Sequence, residues 1–420
     1  MRKPPAILAA LISLSLAALA QGKRLWVLRA PGEMVEYDPV TFAAKQTVRV
    51  PAEALQSPQS VQVNRLGQIL FAPAVSLPLA DSDLNSPHKV WFWNGRTAVT
   101  MDLGVRRETA EMGSNQLITE TAPSVFLSMD GTHLYWFSNQ ERRLQREDVD
   151  LSVTTMWQAW QTDSSGTARE DLASVKLPEC GCPTGACEET CPIDTVSGPA
   201  NGIGDFFLTT PFVAGKDQPV FKLSTQYRQS GGKWAETPLV EPLRRVLDAD
   251  SEGDAIVEAI PDTGCCGWAN QSDDQTIFLM NGKKQVVFDE LATYKNPDYD
   301  VSFYTSNAQL SPDVKSVAMT IVATTEPNQP IQLAEQGQAN PEESRQIRKA
   351  LTELPAVEVK VLEDMARKIA FLPHAVLVGW ISDKEILVVE DHALVLYNTG
   401  STMRRKSNVR VQDAATVFLR

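Results

Sequence analysis

The sequence predicts an all-β chain: a β-propeller of about seven four-stranded blades, six or eight being the alternatives, with a Cys-rich loop insertion and a short helical insertion. Three observations carry that expectation. Short runs rich in Val, Ile, Phe, Tyr, Trp and Thr recur between turn residues, and a single segment alone has the apolar period of an amphipathic helix. A turn motif returns at intervals of tens of residues, the mark of a repeat architecture. Finally, 43% of the 420 residues are apolar and nine are Trp, enough to fill a core and to exclude a disordered chain.

The first element is a leader. Met1-Arg2-Lys3 supplies a positive start, Ile7 to Leu19 is an unbroken Ala, Ile, Leu and Ser stretch, and Ala18-Leu19-Ala20 has the small-x-small pattern cut before Gln21. The stretch is too short to span a bilayer comfortably, which takes about 20 residues. An uncut N-terminal anchor is the bland alternative. Residues 1–20 are therefore expected to be a signal peptide and 21–420 one propeller domain. No Cys sits at the cleavage site, and no later segment is long and apolar enough for stable membrane insertion. The expected location is periplasmic or secreted.

The strands follow in order. Leu25 to Leu28, Met34 to Tyr37, Gln68 to Phe71, Lys89 to Trp93 and Leu134 to Phe137 read as strands, as do Thr276 to Met280, Ser316 to Met319 and Glu385 to Val389. Asn94-Gly95 and Asn281-Gly282 are expected to form type I′ hairpin turns, with Ser230-Gly231-Gly232 as a further turn. The repeat lies over these strands: Val63-Asn64-Arg65-Leu66-Gly67, Leu127-Ser128-Met129-Asp130-Gly131, Leu310-Ser311-Pro312-Asp313 and Ile381-Ser382-Asp383. Asn64 to Ser128 and Ser311 to Ser382 are intervals of 64 and 71 residues, and the gap between them leaves room for copies near Gly204-Asp205 and Ser272-Asp273-Asp274.

Leu310 to Met319 and Leu127 to Trp136 resemble the blade turns of TolB-like and WD40-like exported β-propellers. Leu25 to Val50, with Tyr37-Asp38-Pro39, is similar to blades of bacterial surface propellers. Val314 stands where that superfamily usually has Gly. The resemblance implies a ring of radially stacked sheets whose loops do the work.

Two stretches break the pattern. In the first, about 326–355, Pro341-Glu342-Glu343-Ser344 opens a helix with Ile347, Ala350, Leu351 and Leu354 at helical spacing before Pro355 stops it. Covering the propeller's own flank is its expected role. The second, about 178–200, holds Cys180, Cys182, Cys187 and Cys191 in a strandless loop, while Cys265 and Cys266 are adjacent further on. An even count behind an export leader predicts disulfides, with the loop stapled to the fifth blade. Adjacent cysteines bridge each other only with strain, so two bonds from cluster to pair and one inside the cluster would avoid it. The alternative is a thiolate site for zinc at Cys180, Cys182, Cys187 and Cys191, although paired C-x2-C knuckles are absent. A Cys265–Cys266 bridge beside Trp268 is similar to one in quinone-dependent alcohol dehydrogenases, a resemblance of one dipeptide.

Charge and motifs then bound the function. With 52 Asp+Glu against 39 Lys+Arg, the chain is not built to neutralise nucleic-acid phosphates. The four His residues, His88, His133, His374 and His392, form no ligand pair, and no nucleophile elbow or P-loop is present. Asn201-Gly202-Ile203-Gly204-Asp205 lacks the third glycine of a dinucleotide fingerprint. Turn acids at Asp81, Asp83, Asp250, Asp254, Asp273, Asp274, Asp298 and Asp300 fit solvated loops better than a Ca²⁺ site. Three readings follow. The first is a non-catalytic exported scaffold binding an envelope protein or small ligand at its loops, with no cofactor. The others are a lactonase or hydrolase with Ca²⁺ in the funnel, and a thiol-ligated metal or redox protein.

Overall fold

The computed structural model describes residues 22–30, 32–55, 59–73, 88–104, 107–111, 116–120, 124–128, 131–146, 149–176, 180–181, 196–197, 206–209, 212–214, 219–221, 225–230, 233–238, 243–249, 254–259, 275–280, 283–290, 293, 301–324 and 341–420. Within these, antiparallel strands form seven blades of four strands in chain order, six as separate four-stranded sheets and blade 3 within a seven-stranded one, while Phe212–Ala214 and Pro219–Phe221 pair in a further two-stranded sheet. Blade 1 pairs Val417–Leu419 with Leu25–Arg29, Glu33–Tyr37 and Ala44–Arg49, so its innermost strand comes from the far end of the sequence. Blade 2 comprises Gln59–Val63, Ile69–Pro73, His88–Trp93 and Ala98–Gly104. Blade 3 is Ser124–Leu127, His133–Arg146, Val149–Asp163 and Glu170–Lys176. Blade 4 is Val196–Ser197, Phe206–Thr209, Thr225–Ser230 and Lys233–Pro238. Blade 5 is Leu243–Ala249, Ala255–Ala259, Gln275–Met280 and Lys283–Asp289. Blade 6 is Phe303–Leu310, Ser316–Ala323, Ala356–Val361 and Asp364–Pro373; blade 7 is Ala375–Ser382, Glu385–Glu390, Ala393–Asn398 and Arg404–Arg410.

Alternate side chains of one strand serve two neighbours, because a strand's side chains leave its two faces in turn. Trp26 and Met34 of blade 1 join Ile69 and Phe71 of blade 2, while Leu25, Val27 and Val35 join Leu387 and Val389 of blade 7. Leu70, Ala72 and Phe92 turn instead to Val125 and Leu134 of blade 3. Blades 5 and 6 share Ile256, Phe278, Val317 and Met319, and Ala318 and Val357 pack on Leu377 and Trp380 of blade 7. Val196–Ser197 and Phe206–Thr209 of blade 4 contact Leu243–Ala249 of blade 5. Both faces of blades 1, 2, 6 and 7 are thus covered, which is why their strands read as apolar runs rather than as strict alternation. The ring is the all-β propeller that the repeat predicts, with seven blades.

The turn motif falls between the first and second strands of blades 2, 3, 6 and 7. In three of them the same hydrogen bond closes it: Gly67 N to Asn64 O at 2.9 Å, Gly131 N to Ser128 O at 3.2 Å and Val314 N to Ser311 O at 2.8 Å. The buried Asn64, Ser128 and Ser311 side chains accept the main-chain N–H groups that follow: Gln68 at 3.0 Å, His133 at 3.1 Å and Ser316 at 2.9 Å. Blade 5 has the equivalent connection at 250–254. Ser272-Asp273-Asp274 instead precedes its third strand, so that expected copy is displaced by one hairpin. Gly204-Asp205 stands directly before the second strand of blade 4, but itself lies outside the described residues.

Two further expectations meet the structure differently. Trp93 pairs with Ala98, so Asn94-Gly95 sits in a four-residue connection and not in a two-residue type I′ turn. Only Gly95 takes positive φ, at 98°, while the Asn94 side chain accepts from Arg96 N and Thr97 N, both at 2.9 Å. The carboxamide closes the turn by itself, which frees Asn94 from the left-handed region. Asn281-Gly282 and Gly231-Gly232 lie outside the described residues. The cysteine stretch is not strandless, since Cys180–Gly181 pairs with Ser152 and Val153. The helix forms at Pro341–Glu353 and buries Ile347 and Leu351 in the core between blades 5 and 6.

Candidate functional site

Antiparallel order gives the ring two unlike faces. Connections after the first and third strands of a blade emerge on one face, here the turn face. Connections after the second strand, and those between blades, emerge on the other. The long ones, 105–123, 177–195, 210–224, 260–274 and 324–355, all belong to that second, insertion face. The Cys180–Cys191 cluster and the Cys265-Cys266 pair belong to two of these connections, the latter between the second and third strands of blade 5. Apart from the Cys180 main chain, the six cysteines lie outside the described residues. The middle strands of blade 3 also run past their blade on this face. Beyond Phe137, the stretch from Ser138 to Arg146 reaches about 30 Å further at ~3.3 Å per residue, and its Gln140–Leu144 part pairs with the added strand Gln116–Glu120. Sequence reasoning missed this arm, because Asn139 to Arg146 is almost wholly polar and carries no apolar alternation.

The turn face is built from short, capped connections, and it carries a groove of about 720 Å³ lined by Lys23, Arg24, Glu36, Asp38, Lys45 and Ile381 among others. The acids of this groove are already engaged. Buried Glu36 faces Arg24 at 3.6 Å and accepts from Gln46 Nε2 at 2.6 Å. Asp38 accepts from Thr41 N at 2.8 Å and Val40 N at 3.0 Å and pairs with Lys45 at 3.2 Å; the Thr41 bond foremost lowers its pKa to about 2. Next to the groove, Lys23, Arg65 and Arg420 gather where the innermost strands of blades 1 and 2 end. Desolvation of its ammonium end foremost, then Arg65, lowers the Lys23 pKa, while Asp248 opposes; the residue as a whole stays exposed. Burial lowers the Arg420 guanidinium to about 10, with Asp248 again opposing and Arg65 adding to the drop. The sequence signals no such cluster, for Lys23 and Arg65 are 42 residues apart and Arg420 lies 355 residues beyond Arg65.

The described histidines belong to three different segments. His133 bonds Thr132 Oγ1 at 2.6 Å in blade 3, His374 is exposed between blades 6 and 7, and His392 sits 3.2 Å from Gln412 O. The His88 side chain is outside the described residues, as are all the turn acids singled out above except Asp254. Among the described residues, no group of three or more His, Cys, Asp or Glu could hold a metal ion. No described helix is long and apolar enough to cross a membrane.

No protein-family model matches this chain, and no curated protein does. Among solved structures, the Pyrococcus horikoshii acylaminoacyl peptidase is 12% identical at a TM-score of 0.44, over 90% of this chain and 48% of that one. The chain thus spans about half the peptidase's length. Apo AztD from Citrobacter koseri is 9% identical at 0.43, over 93% and 95% of the two chains. The dihydro-heme d1 dehydrogenase NirN in complex with DHE is 11% identical at 0.39, over 92% and 74%. The propeller rests on the described sheets and their register.

Proposed function

We propose that this chain is an exported, non-catalytic binding platform of the cell envelope, holding an envelope protein or a small ligand with the loops of its insertion face. One observation carries the reading: all the long connections and the blade 3 arm belong to a single face of a rigid ring. Recognition in such folds resides in variable loops on a fixed frame, and the opposite face has little to vary. The leader at 1–20 and the six cysteines support export to an oxidising compartment. There, disulfides would staple the Cys180–Cys191 connection to blade 5, two connections of the same face. Native mass should then lie six hydrogens below that of the reduced chain; six free thiols with stoichiometric zinc would refute the disulfides.

The platform itself is tested by photo-crosslinking in intact envelopes. A crosslinker at exposed Arg345 or Arg348, on the helix of the insertion face, should give a discrete adduct. One at exposed Arg96, on the turn face, should give none. The reverse pattern, or no adduct from either face, counts against the proposal.

A further inference from the structure

The turn face holds a second site. Blades 1 and 5 are not neighbours in the ring, yet Asp248 of blade 5 acts electrostatically on both Lys23 and Arg420 of blade 1. The bonding agrees: Arg420 donates Nε to Val63 O, two residues before Arg65, and its main chain bonds Arg24, next to Lys23, where the innermost strands of blades 1 and 2 end on the central channel. Three cations meet there with one carboxylate, in a chain whose net charge is −13. That carboxylate is already in use, since Asp248 Oδ2 accepts from Leu310 N at 2.8 Å.

The cations are aimed and unspent. Arg420 is fixed by main-chain bonds to Arg24 at 2.6 and 2.9 Å, and its side chain donates Nε to Val63 O at 2.8 Å and Nη1 to Leu419 O at 2.9 Å. Guanidinium has five N–H donors, and Nη2 has no hydrogen-bond partner among the described residues. Lys23 and Arg65 are exposed and likewise make no hydrogen bond or ion pair among the described residues. Lys23 also lines the groove, whose own acids are paired and whose volume of about 720 Å³ falls within the usual span for small-ligand sites.

We propose that this channel mouth is an anion-binding site, in which Lys23, Arg65 and Arg420 hold the carboxylate or phosphate group of a small organic ligand whose body occupies the adjoining groove. Like charges held this close repel in the empty state, and an anion relieves that repulsion. The site is independent of whatever docks on the insertion face.

Calorimetry on the full chain at low ionic strength, with citrate and inorganic phosphate as probes, tests it. Both anions should bind, the tighter one showing whether carboxylate or phosphate is preferred. The Lys23→Gln/Arg65→Gln variant should weaken binding by about tenfold or more, as expected for the loss of charge-assisted bonds. Its melting temperature should stay near that of the parent, since both side chains are exposed. Lys315→Gln, a turn-face cation paired with Asp313 at 3.6 Å, should leave affinity unchanged. No heat with either anion at millimolar concentration overturns the proposal. So does equal affinity in parent and double variant, or an equal loss in Lys315→Gln.

Discussion

Val314 is the residue that departs from the turn shared by three blades. Gly67 and Gly131 occupy the same position at φ of 77° and 69°, where glycine is free of strain, whereas Val314 is held at 53°. A β-branched residue in the left-handed region costs ~1–2 kcal/mol, more than glycine's extra flexibility in the unfolded chain. Val314→Gly should therefore raise stability by about 0.5–1 kcal/mol, read as a higher urea midpoint at unchanged slope. A fall instead would mean that Val314's packing on the core between blades 5 and 6 outweighs its strain. Gly131→Ala should do the opposite, because a Cβ there would collide with the Gln68 carboxamide.

Asp38 and Asp163 act at the same scale. Side-chain bonding from Ser165 foremost lowers Asp163 to about 2, as the Thr41 main-chain bond does for Asp38. Both pKa values are depressed on folding, so their support for the turns is full above the unfolded value near 4. It is lost as pH falls towards 2. Asp163→Asn should flatten the stability profile between those limits, and identical acid profiles for parent and variant would contradict the assignment.

Between elements, polar side chains tie several innermost strands to their neighbours. Gln62 of blade 2 donates to Val125 O and accepts from Leu127 N of blade 3, both at 2.9 Å. Gln309 Nε2 donates to Val378 O at 3.1 Å and receives Trp380 Nε1 on its main-chain oxygen at 3.1 Å, joining blades 6 and 7. Gln62 is 5% exposed, so truncation strands two buried main-chain groups. Gln62→Ala should cost about 2–3 kcal/mol; a loss under ~0.5 kcal/mol, within the range of an ordinary surface change, would show that water replaces the clasp. These ties were illegible in the sequence, where a lone Gln within a strand looks like any half-exposed polar residue. The helix was legible by contrast, because Pro341, Ile347, Leu351 and Pro355 mark its start, buried face and stop within one short segment.

For the whole molecule, ring closure depends on Val417–Leu419. This strand covers the inner edge of Leu25–Arg29 and sends Phe418 to blade 2 and Val417 and Leu419 to the core with blade 7. Removing residues 417–420 would leave an open strand edge and two half-covered blades. Concentration-dependent self-association by light scattering, together with a lost response to anions, is the expected result. A monomeric, cooperative fold without that strand would show that closure contributes little.

Strand content, helix, repeat and the approximate blade number were decided locally, since periodicity and turn chemistry act over a few residues. Val63-Asn64 and Leu310-Ser311 announced their turns because the buried Asn or Ser closes its own loop. The strand pairing from residue 25 to residue 419, the segregation of long connections to one face, and the meeting of Lys23, Arg65, Asp248 and Arg420 were decided only by the closed ring. Charges far apart along a chain carry no pattern until packing of apolar faces brings their strand ends to a common axis.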